Sequence, residues 1–264
     1  MDAQIYQLDG KAGKKETLPK VFESGFREEL VRRAMLAEQS QRYQPQGHYI
    51  LAGMQTTALY VGEYGVWRTG RHMGRAIRPR QKLAGGRMGY VRRIPSSVKG
   101  KRAHPHKVEK VITERRNTKE YRKALESAIG GTADSAKVQA RHSAKTGFPI
   151  IVEDKLETIA KTKDLMIIFQ NLGLEQDIAR SGEPKEKKHH ARYSSGKRYR
   201  KSALIVARDA SRIGKAGRNI PGVDVCSVDS LRVELLAPGA APRLVIWTEG
   251  AVKGVEKAVQ SARL

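Results

Sequence analysis

The stretch "SALIVARDASRIGKAGRNIPGVDVCSVDSLRVELLAPGAAPRLVIWTEGAVKGVEKAVQSA", Ser202 to Ala262, decides the fold. Three of its pieces, "SALIVARD", "GVDVCSVD" and "RLVIWTEG", are short, largely apolar and rich in β-branched residues, so they read as strands. Between and after them, "ASRIGKAGRN", "SLRVELLAP" and "AVKGVEKAVQSA" read as helices. Strands that alternate with helices build a parallel sheet with helices on both faces. Strands of such a sheet are buried on both sides, which is why they lack a polar alternation.

The same grammar extends toward the N-terminus. "FPIIVED" (148–154) is another short apolar strand. "TKDLMIIFQNLG" (162–173) sets Leu165, Ile168, Phe169 and Leu172 on one helical face and stops at Gly173, and "LEQDIARS" follows as a shorter helix. "NTKEYRKALESAIGG" is a helix capped by Asn117 or Thr118, with Tyr121, Leu125 and Ile129 on its inner face and a stop at Gly130-Gly131. "AQIYQLDG" (3–10) reads as a strand and turn, "KVF" (20–22) as a short extended piece, and Ser24 as the N-cap of a helix reaching about Gln41. The expected fold class is α/β: a three-layer sandwich with a mostly parallel central sheet. A long extended basic loop is inserted after the first helix. The globular domain is expected over 1–42 and 108–264, and the insertion over 43–107.

That insertion breaks the grammar. Ten glycines and several prolines between 47 and 105 interrupt any period. Its few large apolar side chains cannot offset the entropy of ordering it alone. A structureless segment this long belongs in a compact chain only if it is functional.

Charge gives the second clue. The chain carries +24, and residues 64–108 hold 13 Lys or Arg with no Asp or Glu. Residues 185–201, "KEKKHHARYSSGKRYRK", hold eight Lys or Arg against Glu186 alone. These two segments account for +20 of the net charge, so the remaining 202 residues are nearly balanced. Charge focused in this way implies a dense polyanion as partner. An anionic membrane is met by amphipathic helices, which these glycines and prolines forbid.

In the first segment arginine outnumbers lysine nine to four, and its fork suits phosphate contact and stacking. Tyr64, Trp67, His72 and Tyr90 are interleaved with the cations, and Lys82 lies among them. In the second segment His189, His190, Tyr193 and Tyr199 alternate with Arg192, Lys197, Arg198 and Arg200. Aromatics among cations suit structured or single-stranded RNA. The competing reading is a solvated basic tail, but a tail is usually terminal, and both segments are internal.

Other chemistries are poorly supported. No G-x-G-x-x-G follows a strand, and neither a phosphate-loop motif nor a G-x-S-x-G elbow occurs. "GKAGRNIPG" (214–222) follows a helix and reads as a loop. Cys226, the one cysteine, lies in an apolar strand and reads as a buried small residue; alone it forms no internal disulfide. The pairs His104/His106 and His189/His190 lack a cysteine at ligand spacing, and the surrounding positive field opposes a cation. No cofactor or metal is expected. "LMIIF" and "ALIVA" are too short to span a membrane, and the first thirty residues carry Lys11, Lys14, Lys15 and Glu16 rather than an apolar run. A cytosolic, soluble protein is expected.

The order of these features, with "WRTGRHMGRAIRPRQKLAGGRMGYVRR", "KRAHPHKV", "RKALESAI" and "LVIWTEGAV", resembles the large-subunit ribosomal protein four family in its archaeal or eukaryotic form. The resemblance covers essentially the whole chain. It implies a non-enzymatic primary rRNA-binding protein that aids large-subunit assembly. Its loop would thread through rRNA and help form the wall of the polypeptide exit tunnel. By motif match, the loop tip is expected at Trp67, Arg68, Arg71, Arg75, Arg78 and Arg80. The stem is expected at Arg87, Arg92, Arg93, Lys99, Lys101, Arg102 and Lys107, with His104 and His106 beside it. The implied partners are large-subunit rRNA, neighbouring ribosomal proteins and, near the tip, the nascent polypeptide. The alternative is a free RNA chaperone or a regulator that binds its own message.

Overall fold

The computed structural model describes residues 1–65, 69, 71–184, 197 and 199–262. Trp67, Arg68, His189, His190, Arg192, Tyr193 and Arg198 lie outside the described residues. The chain divides into two compact units, Met1–Arg42 with Thr113–Leu264, and Tyr43–Ile112.

The first unit opens with β1 (Asp2–Tyr6), β2 (Ala12–Thr17) and α1 (Glu28–Ser40). The second unit contributes β3 (Arg80–Lys82) and β4 (Met88–Val91). The first unit then resumes with α2 (Thr118–Ala133), α3 (Ser135–Gln139), β5 (Ile150–Val152), α4 (Thr162–Asn171) and α5 (Glu175–Gly182). It closes with β6 (Leu204–Ala207), α6 (Ile213–Gly217), β7 (Asp224–Ser227), α7 (Val233–Leu236), β8 (Val245–Thr248) and α8 (Glu249–Ser261).

The sheet of the first unit runs β2-β1-β5-β8-β6-β7, parallel throughout except for the β1–β2 pair. The last strand in the chain, β8, is thus inserted between β5 and β6. The alternation along each strand sorts residues to two cores. Ile151, Leu204, Val206, Val245 and Trp247 join α1, α2 and α8 on one side. Ile150, Val152, Ile205, Ala207 and Ile246 join α4, α5 and α6 on the other. Trp247 is fully buried and meets Phe22 edge-on, with ring centroids 5.2 Å apart.

Several local readings need correction. Edge strand β2, "AGKKET", was not expected, because it has no apolar alternation; its exposed lysines are the charged face that discourages further pairing at a sheet edge. "KVF" lies in a 3-10 turn, Lys20–Glu23, not an extended piece. Ser24 does not cap α1, which starts at Glu28; its hydroxyl donates to the carbonyls of Val21 and Glu126. Gly130-Gly131 does not end α2, which runs on to Ala133. A Cβ on Gly130 would sit 2.0 Å from the Ser24 carbonyl oxygen, so this glycine serves close packing rather than termination. Asn117 caps α2 as read, its side chain accepting from Lys119 N at 3.0 Å.

Candidate nucleic-acid interface

Among the described residues of 43–112, Ala58 is the only buried one. The unit is therefore held by its backbone. Its two limbs run side by side: His48 N donates to His106 O, and Arg93 donates to the carbonyls of Met54 and Ala58. Leu59 and Arg80 exchange both backbone hydrogen bonds at 3.2 Å. Gly53, at φ +76°, faces Gly100 so closely that a Cβ would lie 2.4 Å from the Gly100 oxygen. The β3–β4 hairpin, absent from the sequence reading, turns at Gly85 and Gly86, where Leu83 N donates to Arg87 O at 2.9 Å. Short strands with no apolar alternation leave no periodic trace.

This scaffold projects cations without neutralising them. Among the described residues of 43–112, no Lys or Arg pairs with a carboxylate. Their partners are carbonyls, hydroxyls and rings. Arg71 donates to Gly62 O at 2.6 Å and lies over Tyr64, Arg78 donates to Ser96 Oγ, and Arg92 lies 5.6 Å from the Tyr90 ring centroid. Arg78, Arg80, Lys82 and Arg87 surround a cavity of about 360 Å³ whose apolar walls are Leu59, Val61, Leu83 and Met88. Arg75 helps line a second, more open cavity with Arg78, Arg80 and Arg92. His106 and Lys107 line a third with Tyr43 and Gln46. His72, Lys101, Arg102 and His104 are exposed; Lys99 is also exposed and, like His72, has positive φ.

On the first unit, Pro184 and Tyr199 form an isolated bridge, which brings the two ends of the second basic segment together. Lys197 is exposed, and Tyr199 and Arg200 line a cavity with Arg141, His142, Arg180 and Lys201. Arg141 and His142 follow α3 and Arg180 lies in α5, so no local pattern in the sequence marks them together.

Beneath that cavity, buried Asp177 accepts from Ser202 Oγ at 2.6 Å and from Arg180 Nη2 at 2.6 Å, with His142 Nδ1 at 3.1 Å. Burial penalises this carboxylate, but the His142 and Ser202 hydrogen bonds and the Arg180 charge outweigh it and hold its pKa below the usual range. The trio has the composition of a nucleophilic triad without its geometry. Ser202 donates to the carboxylate rather than to the imidazole, so no base activates it. Burial pushes the Cys226 thiol up to about 12, which keeps it uncharged and unreactive.

The place where a doubly wound sheet usually takes a ligand, beyond the carboxyl ends of its strands, is occupied from within. Glu157 accepts from Arg208 N at 2.7 Å, Asp209 N at 3.1 Å and Thr248 Oγ1 at 2.7 Å. Asp154 accepts from Gly250 N at the start of α8. These carboxylates take the donors that a phosphate would use. Among the described residues no group of three His, Cys, Asp or Glu could hold a metal ion, and no helix is long and apolar enough to cross a membrane.

Residues 16–258 match the model of the ribosomal protein L4/L1 family. The chain is 41% identical over 262 residues to the large ribosomal subunit protein uL4 of Methanococcoides burtonii, covering 96% of this chain and 97% of that one. It is 39% identical to the protein of the same name from Methanocaldococcus jannaschii, over 97% of this chain and 99% of the relative. Against that of Haloquadratum walsbyi it is 36% identical, with the same coverage.

Proposed function

Because the chain belongs to the ribosomal protein L4/L1 family, we propose that it is a structural constituent of the large ribosomal subunit that binds rRNA directly and aids assembly. It is a ribosomal protein, not an enzyme. In this reading residues 43–107 are an rRNA-penetrating insertion within a body formed by 1–42 and 108–264. The tip around Arg71, Arg75 and Arg78 helps form the wall of the exit tunnel, near the nascent polypeptide. The stem around Arg92, Arg93, Lys99 and Lys101 and the segment 185–201 grip rRNA. Neighbouring large-subunit proteins cover other parts of the body, and the chain resides in the cytoplasm on the ribosome.

One observation carries the reading: a strongly basic unit has a single buried side chain and no ion pair among its described residues. Such a unit lacks the hydrophobic surface that normally stabilises a fold, and a polyanion supplies both charge compensation and a second surface.

The test is to express a tagged chain in cells of its source and fractionate ribosomes at moderate salt. Co-sedimentation with large subunits, and crosslinks from 71–107 to rRNA, are expected. Recovery only at the top of the gradient, bound to its own message, would replace this reading with that of a free regulator.

A further inference from the structure

We propose that the cavity between α3, α5 and the segment leading into β6 holds one RNA phosphodiester, with an adjacent base stacked on Tyr199. This proposal rests on the RNA-binding reading and assigns it a specific site on the body. The cavity has a volume of about 400 Å³ and is lined by Arg141, His142, Arg180, Tyr199, Arg200 and Lys201.

Four cations converge there, but the local carboxylates are already engaged. Asp177 is paired with Arg180, and Asp224 with Lys201 and Arg243. Among the described residues, no carboxylate pairs with Arg141 or Arg200. The cavity therefore holds a surplus of positive charge at one spot.

Two of the donors, Arg141 and Arg180, are also fixed in place. Arg141 is held by a bond from Nη1 to Pro238 O at 3.0 Å, which leaves the rest of its guanidinium for a ligand. Arg180 is locked between Asp177 and the carbonyl of Arg141, and its Nε is buried with no partner among the described residues. Preorganised guanidinium forks suit a tetrahedral phosphate, whereas a single lysine supplies only a point charge. Tyr199 is 52% exposed at the rim, so its ring face is available to a base.

The test uses the full-length chain and a transcript of its own large-subunit rRNA, with affinity measured across a salt series. Arg141→Gln and Arg200→Gln should each weaken binding about 3- to 10-fold. Each should also lower the slope of log affinity against log salt by about 0.7–0.9, the release expected from one phosphate contact. Tyr199→Ala should weaken binding by at least about 5-fold with an unchanged slope, because stacking releases no counterion. Thermal melts of the variants should match the parent chain, which separates lost contact from lost fold. Arg71→Gln/Arg75→Gln in the second unit serves as the comparison. If that variant loses affinity while Arg141→Gln and Arg200→Gln keep the parental affinity and slope, the cavity proposal is overturned and the RNA-binding reading stands. If parental binding shows no salt dependence at all, the RNA-binding reading itself fails. Millimolar inorganic phosphate at matched ionic strength should not displace the RNA. Displacement from the parent but not from Arg141→Gln would reveal a free-phosphate site and overturn the proposal. So would poor incorporation of Arg141→Gln into subunits with unaltered RNA affinity, the signature of an acidic protein partner.

Discussion

Replacing Arg243 by methionine tests whether the fully buried guanidinium just before β8 ties the sheet together. Its Nε donates to Ser202 O at 2.5 Å, Nη1 to Asp224 Oδ2 at 2.6 Å, and Nη2 to the carbonyls of Ala203 and Gly222. The loss is not the sum of these bonds. Gly222 O still accepts from Ser202 N at 2.8 Å, and Ala203 O from Asp224 N at 3.2 Å. The uncompensated groups are Ser202 O and the Asp224 carboxylate. Asp224 keeps Lys201 at 2.8 Å, so its charge is not wholly orphaned. Breaking a buried pair typically costs about 3–5 kcal/mol, and with Lys201 retained the expected loss is about 2–4 kcal/mol. With a urea slope of about 2 kcal/mol per molar, the unfolding midpoint should fall by about 1–2 M.

The pH dependence should change as well. Burial alone would raise the Asp224 pKa, but Arg243 and Lys201 outweigh it and leave it lowered in the folded chain. A carboxylate with a lowered folded pKa stabilises above its unfolded value of about 3.9 and loses that contribution as pH falls through the folded value. The parent should therefore lose stability steeply below about pH 4, and Arg243→Met more gently. Adding Asp224→Asn to Arg243→Met should restore part of the loss, since the two act as a pair. A midpoint shift under about 0.3 M, equivalent at that slope to well under 1 kcal/mol, would refute the view that this fork joins β6, β7 and β8.

Gly130→Ala should destabilise by at least about 1–3 kcal/mol despite the better helix propensity of alanine, because the Ser24 backbone cannot move aside for the new methyl; a melt at or above the parent would show that α2 has room. Limited proteolysis of the free chain should cut within 64–107 before it cuts within 204–261, because the first stretch has no buried side chain among its described residues; mass spectrometry of early fragments reads the order. Excising 68–87 should leave the melt of the free chain within a few degrees and still allow incorporation into large subunits, while altering the response of those ribosomes to tunnel-binding inhibitors. Unfolding on excision, or an unaltered response, would count against the tip assignment.

The parallel strands were legible because each is an apolar run bounded by turn residues, as in "ALIVA" and "LVIWT". The helices were legible where one face repeats, as in α4 with Leu165, Ile168 and Phe169. What escaped depends on tertiary contact. Strand β2 is recruited by β1 rather than by its own side chains, and Gly130 reads as a stop until the Ser24 backbone lies against it. The basic stretches of the candidate interface announced themselves through charge. The cavity around Arg141 and Arg180 did not, because its lining comes from the ends of α3 and α5 and the approach to β6, far apart in sequence.

Charge and core are divided along this chain in a way that single-surface folds avoid. In the first unit cations meet carboxylates at the points where elements join, as at Arg33–Glu120, Arg42–Glu234 and Arg243–Asp224. In the second unit the described cations meet only carbonyls, hydroxyls and rings. Thirteen positive charges without an acid in 45 residues repel one another in the free chain. The free state therefore carries an electrostatic cost that surface pairing usually removes, and in the proposed rRNA complex a phosphate backbone would remove it with release of counterions. The first unit keeps the ends of the insertion together, with Glu114 N donating to Ser40 Oγ at 2.9 Å at the close of α1. Closing a 70-residue excursion costs entropy that grows only slowly with its length, so the body tolerates an insertion of this size. In the proposed complex the second unit would answer to the polyanion while the body's two apolar cores carry the stability.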